Sequence, residues 1–224
     1  MLHEARSLAA TSPSMNRRDL LRLMLSAQLL VIAPSTADAQ GRFQGRVLAE
    51  WDKSSGRKMI LVEPFSYIDN TGRRWPVPKG AVVDGASIPR PFWSVVGGPF
   101  EGRYRGASVI HDFYCVARNR KHQDVHRVFH EAMLTDGVSE KRAWLMYQAV
   151  DNFGPRWEDP QADPGCDVDN PGFNLERCAS SKIKPRVHWP KMTKRNLLKF
   201  VRDIEDRIDG ADLLELRKSI LKFS

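Results

Sequence analysis

Beyond residue 39 the sequence has no apolar run approaching the ~20 residues that a membrane-crossing helix needs, which excludes a permanent anchor in that part of the chain. Internal repeats and low-complexity tracts are also missing, and solenoid or propeller architectures go with them. Cysteine is scarce, with three in 224 residues and all of them after residue 39. That number allows one disulfide and leaves one thiol over. Acidic residues are in the minority, 27 Asp and Glu against 35 Lys and Arg, so the chain is basic overall.

What is present begins with a leader. Arg17 and Arg18 precede an apolar run of about 14 residues, 20–33, interrupted by Arg22, Ser26 and Gln28 and closed by Ala37-Asp38-Ala39. Basic, apolar and small-residue regions in that order make a removable signal peptide rather than an anchor. The arginine pair resembles the twin-arginine export motif, which addresses folded proteins to the far side of a bacterial inner membrane. Residues 1–39 are therefore expected to be removed, and the working protein to be periplasmic or secreted. Removal takes away four Lys/Arg and three Asp/Glu, so the remaining chain keeps a charge of +7. A basic surface of this kind favours an anionic envelope component, a lipid headgroup or a cell-wall polymer, as partner.

An α+β domain is expected after the leader. Residues 43–83 read as two antiparallel β-hairpins with turns at Ser54-Ser55-Gly56 and Asp69-Asn70-Thr71-Gly72. Pro76 and Pro78 confine the next strand to an edge or end it. An irregular connection through Asp84-Gly85-Ala86-Ser87-Ile88-Pro89 leads to about three core helices, expected over residues 104–118, 123–134 and 139–152. Residues 40–157 form the core domain in this reading. Residues 158–190 form a Pro- and Gly-rich loop in which Cys166 and Cys178, exported to an oxidising space, are the favoured disulfide pair. Cys115 is left as a buried thiol in a helix. Residues 191–224 are expected to form two amphipathic, highly charged, peripheral helices that pack on the body or bind a partner.

The residues with chemical potential lie between the strands and the second helix. His111-Asp112 sits in an apolar helix, and Asp124, near the start of the next, shares a helical face with Val128 and Ala132. A carboxylate looking inward needs a partner, and His111 across a short connection is the expected one. Held at one nitrogen by Asp124, the imidazole becomes a general base able to activate water. Asp112, on another face, is a metal candidate, with calcium the expected ion and carbonyls of the loop at residues 97–102 as further ligands. His122, His126 and His130, four apart, offer an alternative zinc-binding face. A third reading makes the histidines and carboxylates a structural network with no catalysis.

Several ordered motifs carry a resemblance to a known family. Val77-Pro78-Lys79-Gly80, Asp84-Gly85-Ala86-Ser87-Ile88-Pro89-Arg90, Gly102-Arg103-Tyr104, residues 107–114, 124–133 and Gly137-Val138 through Phe153-Gly154 together resemble domain-of-unknown-function family 1353 of phages and bacteria, over about residues 43–157. Where that family has His-Asp-x-Leu-Tyr, this chain reads His111-Asp112-Phe113-Tyr114-Cys115, so its last aromatic is replaced. From their place in the family motif, Asp84 and Ser87 are expected to border the site. More locally, His111-Asp112-Phe113 followed by Asp124, Phe129 and Met133 is similar to secreted A2-type phospholipases. That likeness implies His111 as base, Asp112 as calcium ligand and Asp124 as the residue orienting His111. The function implied is an exported hydrolase acting on a lipid or cell-wall ester. The rival is a non-catalytic envelope-binding or phage-derived assembly module in which Asp84, His111 and Asp124 form a buried network.

Overall fold

A computed structural model of the chain describes residues 41–158, 173–180 and 185–223, with the side chains of 178–180 not included. The expected leader, residues 1–39, and the expected Cys166–Cys178 disulfide lie outside the described residues and side chains.

The architecture is α+β. Among the described residues six strands form two antiparallel three-stranded sheets. The first has the order β1 (Arg42–Gln44), β4 (Phe65–Ile68), β5 (Arg74–Val77), and the second β2 (Ala49–Trp51), β3 (Met59–Leu61), β6 (Val82–Val83). Both expected hairpins form, as β2–β3 and β4–β5. Pro76 lies on β5, at a sheet edge, where its missing N–H breaks no ladder. Distant segments also pair, β1 with β4 and β3 with β6, and side chains add to the first of these ladders. Phe43 on β1 stacks on Phe65 at 5.4 Å and tilts against Tyr67 at 4.8 Å.

The β4–β5 turn is fixed by one carboxylate. Asp69 accepts hydrogen bonds from the Thr71 N–H (3.0 Å), the Thr71 hydroxyl (2.5 Å), the Arg73 N–H (2.9 Å) and the buried Trp75 indole (2.9 Å). Burial pushes its acidity the wrong way, but these four donors outweigh it and hold the carboxyl below its ordinary value. A depressed carboxyl contributes stability above its unfolded value and loses it as pH falls through the folded one. Asp69→Ala strands the Trp75 N–H in the core and is expected to cost about 2–4 kcal/mol in denaturant unfolding at neutral pH.

Seven α-helices follow among the described residues: α1 (Trp93–Val96), α2 (Arg105–Ala117), α3 (His122–Thr135), α4 (Glu140–Phe153), α5 (Leu175–Ser180), α6 (Lys194–Ile204) and α7 (Gly210–Lys222). Helix α2 is the central rod, buried at every residue from Gly106 to Cys115. Helix α3 packs on it through Val125, Val128, Phe129, Ala132 and Met133, all fully buried. Helices α6 and α7 pack on the body with narrow apolar stripes. Leu197, Val201, Leu216 and Ile220 are buried, and Phe200 meets the rings of Phe92 and Phe153 edge-on at 5.6 and 5.3 Å. No helix among the described residues is long and apolar enough to cross a membrane.

Candidate functional site

The irregular segment after β6 is attached to α2 by a side chain of the helix. Asp112 accepts the backbone N–H of Asp84 at 2.5 Å, with a second backbone hydrogen bond from Gly85. Further along, the Trp93 indole donates to the Ile88 carbonyl at 2.9 Å and so anchors the turn that leads into α1. Gly85 has φ +97, and a Cβ there would lie 2.3 Å from the Pro99 Cβ. Gly85→Ala therefore meets both backbone strain and a clash. A loss of about 2 kcal/mol or more in thermal or denaturant unfolding is expected.

Between this loop, the C-terminal half of α2 and the segment 185–192 lies an open cleft of about 700 Å³. Asp112 and Cys115 of α2 and its C-cap Arg118 line it together with Asp84 and Ser87 of the loop, Arg57 of the β2–β3 turn, and Trp189. The 185–192 segment is held by a bridge of Arg156 with His188 and by the Arg118 guanidinium, which donates to the Pro185 carbonyl at 2.8 Å.

At the cleft floor two carboxyl groups meet. The Asp112 side chain hydrogen-bonds that of Asp84. Burial is the larger cause and the Asp84 charge the second in raising the Asp112 carboxyl to about 8. Asp84 differs in its surroundings, with a side chain 41% exposed and ion-paired to Arg57 at 2.9 Å. Two adjacent carboxyls cannot both ionise cheaply, so the pair holds one proton at neutral pH, and the buried member is its natural keeper. The Cys115 thiol is pushed well above its ordinary value, first by burial and then by the Asp112 charge, and stays protonated.

His111 faces away from this cleft. Its ring has no solvent exposure, and its Nε2 lies 3.0 Å from His126 Nδ1, while His126 Nε2 lies 3.1 Å from the Pro155 carbonyl. A carbonyl only accepts, so His126 carries its proton on Nε2 and accepts at Nδ1 from the His111 Nε2–H. What remains on His111 is the Nδ1 lone pair, 3.7 Å from Cys115 Sγ. Burial, then the neighbouring histidine, keeps both rings neutral, with His126 lowered to about 4 and His111 well below its ordinary value.

This geometry corrects the expected His111–Asp124 dyad. Asp124 sits on the rim of the α3 apolar face, its side chain 33% exposed, and pairs with Arg73 at 3.5 Å and Arg127 at 3.4 Å. The position opposite His111 is taken by His126 and Phe129, whose ring centroid is 4.7 Å from that of His111. With no aspartate behind it and no water before it, His111 does not have the setting of a general base. The likeness to A2-type phospholipases consequently stops at the sequence. The alternative zinc-binding face of His122, His126 and His130 on α3 does not form either. His126 is buried, and His122 Nδ1 bonds the Trp157 carbonyl at 2.8 Å. In the 97–102 loop, whose carbonyls were expected as further calcium ligands, two of them, those of Gly98 and Phe100, accept from the Tyr104 hydroxyl at 2.5 Å and from Arg105 Nε at 2.8 Å. Among the described residues no three His, Cys, Asp or Glu are grouped to hold a metal ion.

Sequence reasoning singled out Asp84, Ser87 and Asp112 of this cleft. It missed Arg57, Arg118, Trp189 and the His126 partner of His111. Arg57 and Trp189 lie far from the motif in sequence and carry no local signal. His126 was legible in principle, since it lies one position from the inward Val125 on the same helix.

The model of the protein family of unknown function DUF1353 matches residues 59–150, which include both aspartates of the cleft and both buried histidines. Two curated proteins of Sinorhizobium fredii (strain NBRC 101917 / NGR234) are similar. The uncharacterised protein y4jT is 52% identical over 128 residues, covering 57% of this chain and 38% of that protein. The uncharacterised protein y4iH is 43% identical over 98 residues, covering 44% of this chain and 41% of that protein. The chain thus spans about two fifths of the length of these relatives. No solved structure matches the chain. Strands β3 to β6, the 84–90 loop and helices α2 and α3 lie within the residues matched by the DUF1353 model, whereas β1 and β2 precede them.

Proposed function

We propose that this chain is an exported hydrolase that adds water to a carbonyl-centred bond, with the Asp84–Asp112 carboxyl pair as its acid and base. The carrying observation is the buried Asp112 carboxyl, pushed up to about 8 by burial and the Asp84 charge, beside the half-exposed Asp84 carboxylate at the floor of an open cleft. Two-carboxylate glycosidases need their carboxyls at least ~5 Å apart, so a hydrogen-bonded pair disfavours glycosides. A pair sharing one proton suits addition of water to an amide or ester.

In this reading Asp84 takes a proton from water as the water oxygen bonds the carbonyl carbon, and Asp112 gives its proton to the carbonyl oxygen. A tetrahedral diol results, and both carboxyls have exchanged protonation states. Collapse breaks the bond to the leaving nitrogen or oxygen, which takes the proton now on Asp84. The re-forming carbonyl returns its proton to Asp112, restoring the starting pair. The twin-arginine leader supports an envelope location, where cell-wall and lipid esters or amides are available. Calcium enters only as a candidate, because a cation at Asp84 has to displace Arg57. Thermal unfolding with and without calcium measures it, with no shift expected in the wild type.

The rival, a non-catalytic binding or assembly module, is favoured by a specific observation. Asp112 is also the clasp that fixes the 84–85 backbone to α2, and the sealed histidine pair is structural. Incubation with peptidoglycan fragments, phospholipid and chromogenic esters and amides separates the two. Turnover that disappears in both Asp84→Asn and Asp112→Asn supports the hydrolase. Absence of turnover on every class supports the module.

A further inference from the structure

The cleft walls carry more positive charge than the carboxyl pair can balance. Arg57 is committed to Asp84. Arg90 and Arg118 are not committed to any acid, and among the described residues neither has an ion-pair partner. Arg118 occupies the left-handed C-cap of α2, φ 54, a conformation that costs a non-glycine residue about 1 kcal/mol. Its guanidinium is nevertheless held in place by Nε to the Cys115 carbonyl at 3.3 Å and Nη1 to the Pro185 carbonyl at 2.8 Å. A fixed guanidinium at the cleft wall with donors to spare is preorganised for a planar anion. Arg90, exposed at the mouth, lies 5.8 Å over the Trp93 ring, which limits its wandering without neutralising it. Trp189 is 56% exposed on the opposing segment and offers a flat apolar face.

We propose that the ligand of this cleft is a short acidic peptide-type chain, with a carboxylate held by Arg118 and Arg90 and a neighbouring group resting on Trp189. The substrate class rests on the hydrolytic reading of the carboxyl pair, since an amide chain crossing the cleft floor presents its carbonyl there. A phospholipid fits less well. Its acyl chain needs a continuous apolar channel, whereas the apolar lining of this cleft is interrupted by five charged side chains, Arg57, Asp84, Arg90, Asp112 and Arg118.

The test uses full-length protein carrying Asp112→Asn, so that binding is read without turnover. Fluorescence anisotropy follows a labelled oligopeptide containing Glu, its Gln counterpart, and vesicles of phosphatidylglycerol. The Glu peptide is expected to bind about tenfold or more tightly than the Gln peptide, the loss expected for one charge-assisted contact. Arg118→Gln and the exposed Arg90→Gln should each remove most of that preference, Arg118→Lys should restore part of it, and Trp189→Ala should weaken both peptides alike. Equal affinity for the two peptides, a preference untouched by either arginine variant, or vesicle binding that outcompetes the Glu peptide overturns the proposal. Preferential binding of the acidic peptide by a protein that hydrolyses nothing removes the enzyme reading while leaving this one intact. Turnover of neutral amides with no acidic preference does the reverse.

Discussion

Asp112→Asn is expected to lower hydrolysis at neutral pH by about 10²–10⁴-fold, the usual worth of a positioned acid or base, while the protein stays folded. Asparagine has the shape of a protonated aspartic acid. Its carbonyl oxygen still accepts the Asp84 and Gly85 N–H groups, so the clasp between loop and helix survives while the transferable proton is lost. The same substitution makes a second difference. A carboxyl raised to about 8 in the folded state, from an unfolded value near 4, contributes stability that is full below the unfolded value. That contribution declines as pH rises toward 8. Wild-type protein should therefore lose stability over this window, and Asp112→Asn should be flatter. Denaturant midpoints taken across the window beside rate measurements read both effects from one pair of proteins. A purely structural Asp112 predicts the stability change and no catalytic one.

His111→Ala should be the most destabilising single change in the helical core. It removes a fully buried ring packed on Phe129, leaves a cavity, and deprives His126 Nδ1 of its donor. Cavity and orphaned acceptor together are expected to cost about 3–5 kcal/mol in denaturant unfolding. The pH signature runs opposite to that of Asp112. Both histidines are held neutral by burial, and His126 by the nearby His122 and Arg156 as well. A histidine depressed in the folded state contributes its full stability above the unfolded value of about 6.5 and loses it as pH falls toward about 4. Wild-type protein should become acid-labile through that window, and His111→Ala should show a shallower acid slope on a lower baseline. A His111→Ala protein that matches wild type in stability but has no activity would restore the imidazole to catalysis.

The difference between expectation and structure at His111 is a matter of register. Helices α2 and α3 are antiparallel neighbours joined by residues 118–121. Counting outward equally from that connection, Asp124 falls opposite Cys115, while His111 falls opposite Val128, within a turn of His126 and Phe129. The apolar periodicity of α3 was readable from Val125, Val128, Phe129, Ala132 and Met133, and these residues are buried as their spacing requires. Asp124 shares their face only at its margin, where Arg73 from the β4–β5 turn reaches it, and no local pattern announces that arginine. Hairpin turns, edge prolines and helix spans were legible because each is written in a few adjacent residues. The pairing of β1 with β4 and the wall supplied by residues 185–192 depend on tertiary closure between distant segments, for which periodicity carries no signal. Asp84 and Asp112 belong to both kinds. Each was noticed as a polar residue in a conspicuous motif, but their contact depends on a loop that folds back on a helix 28 residues later.

The central claim is that one proton is held on a buried carboxyl at the cleft floor under neutral conditions. Carbon-13 NMR titration of side-chain carboxyls in aspartate-labelled protein measures it directly. A single carboxyl resonance that titrates near 8 and is missing from Asp112→Asn protein is the predicted result. Full ionisation of every aspartate by about pH 5 contradicts it.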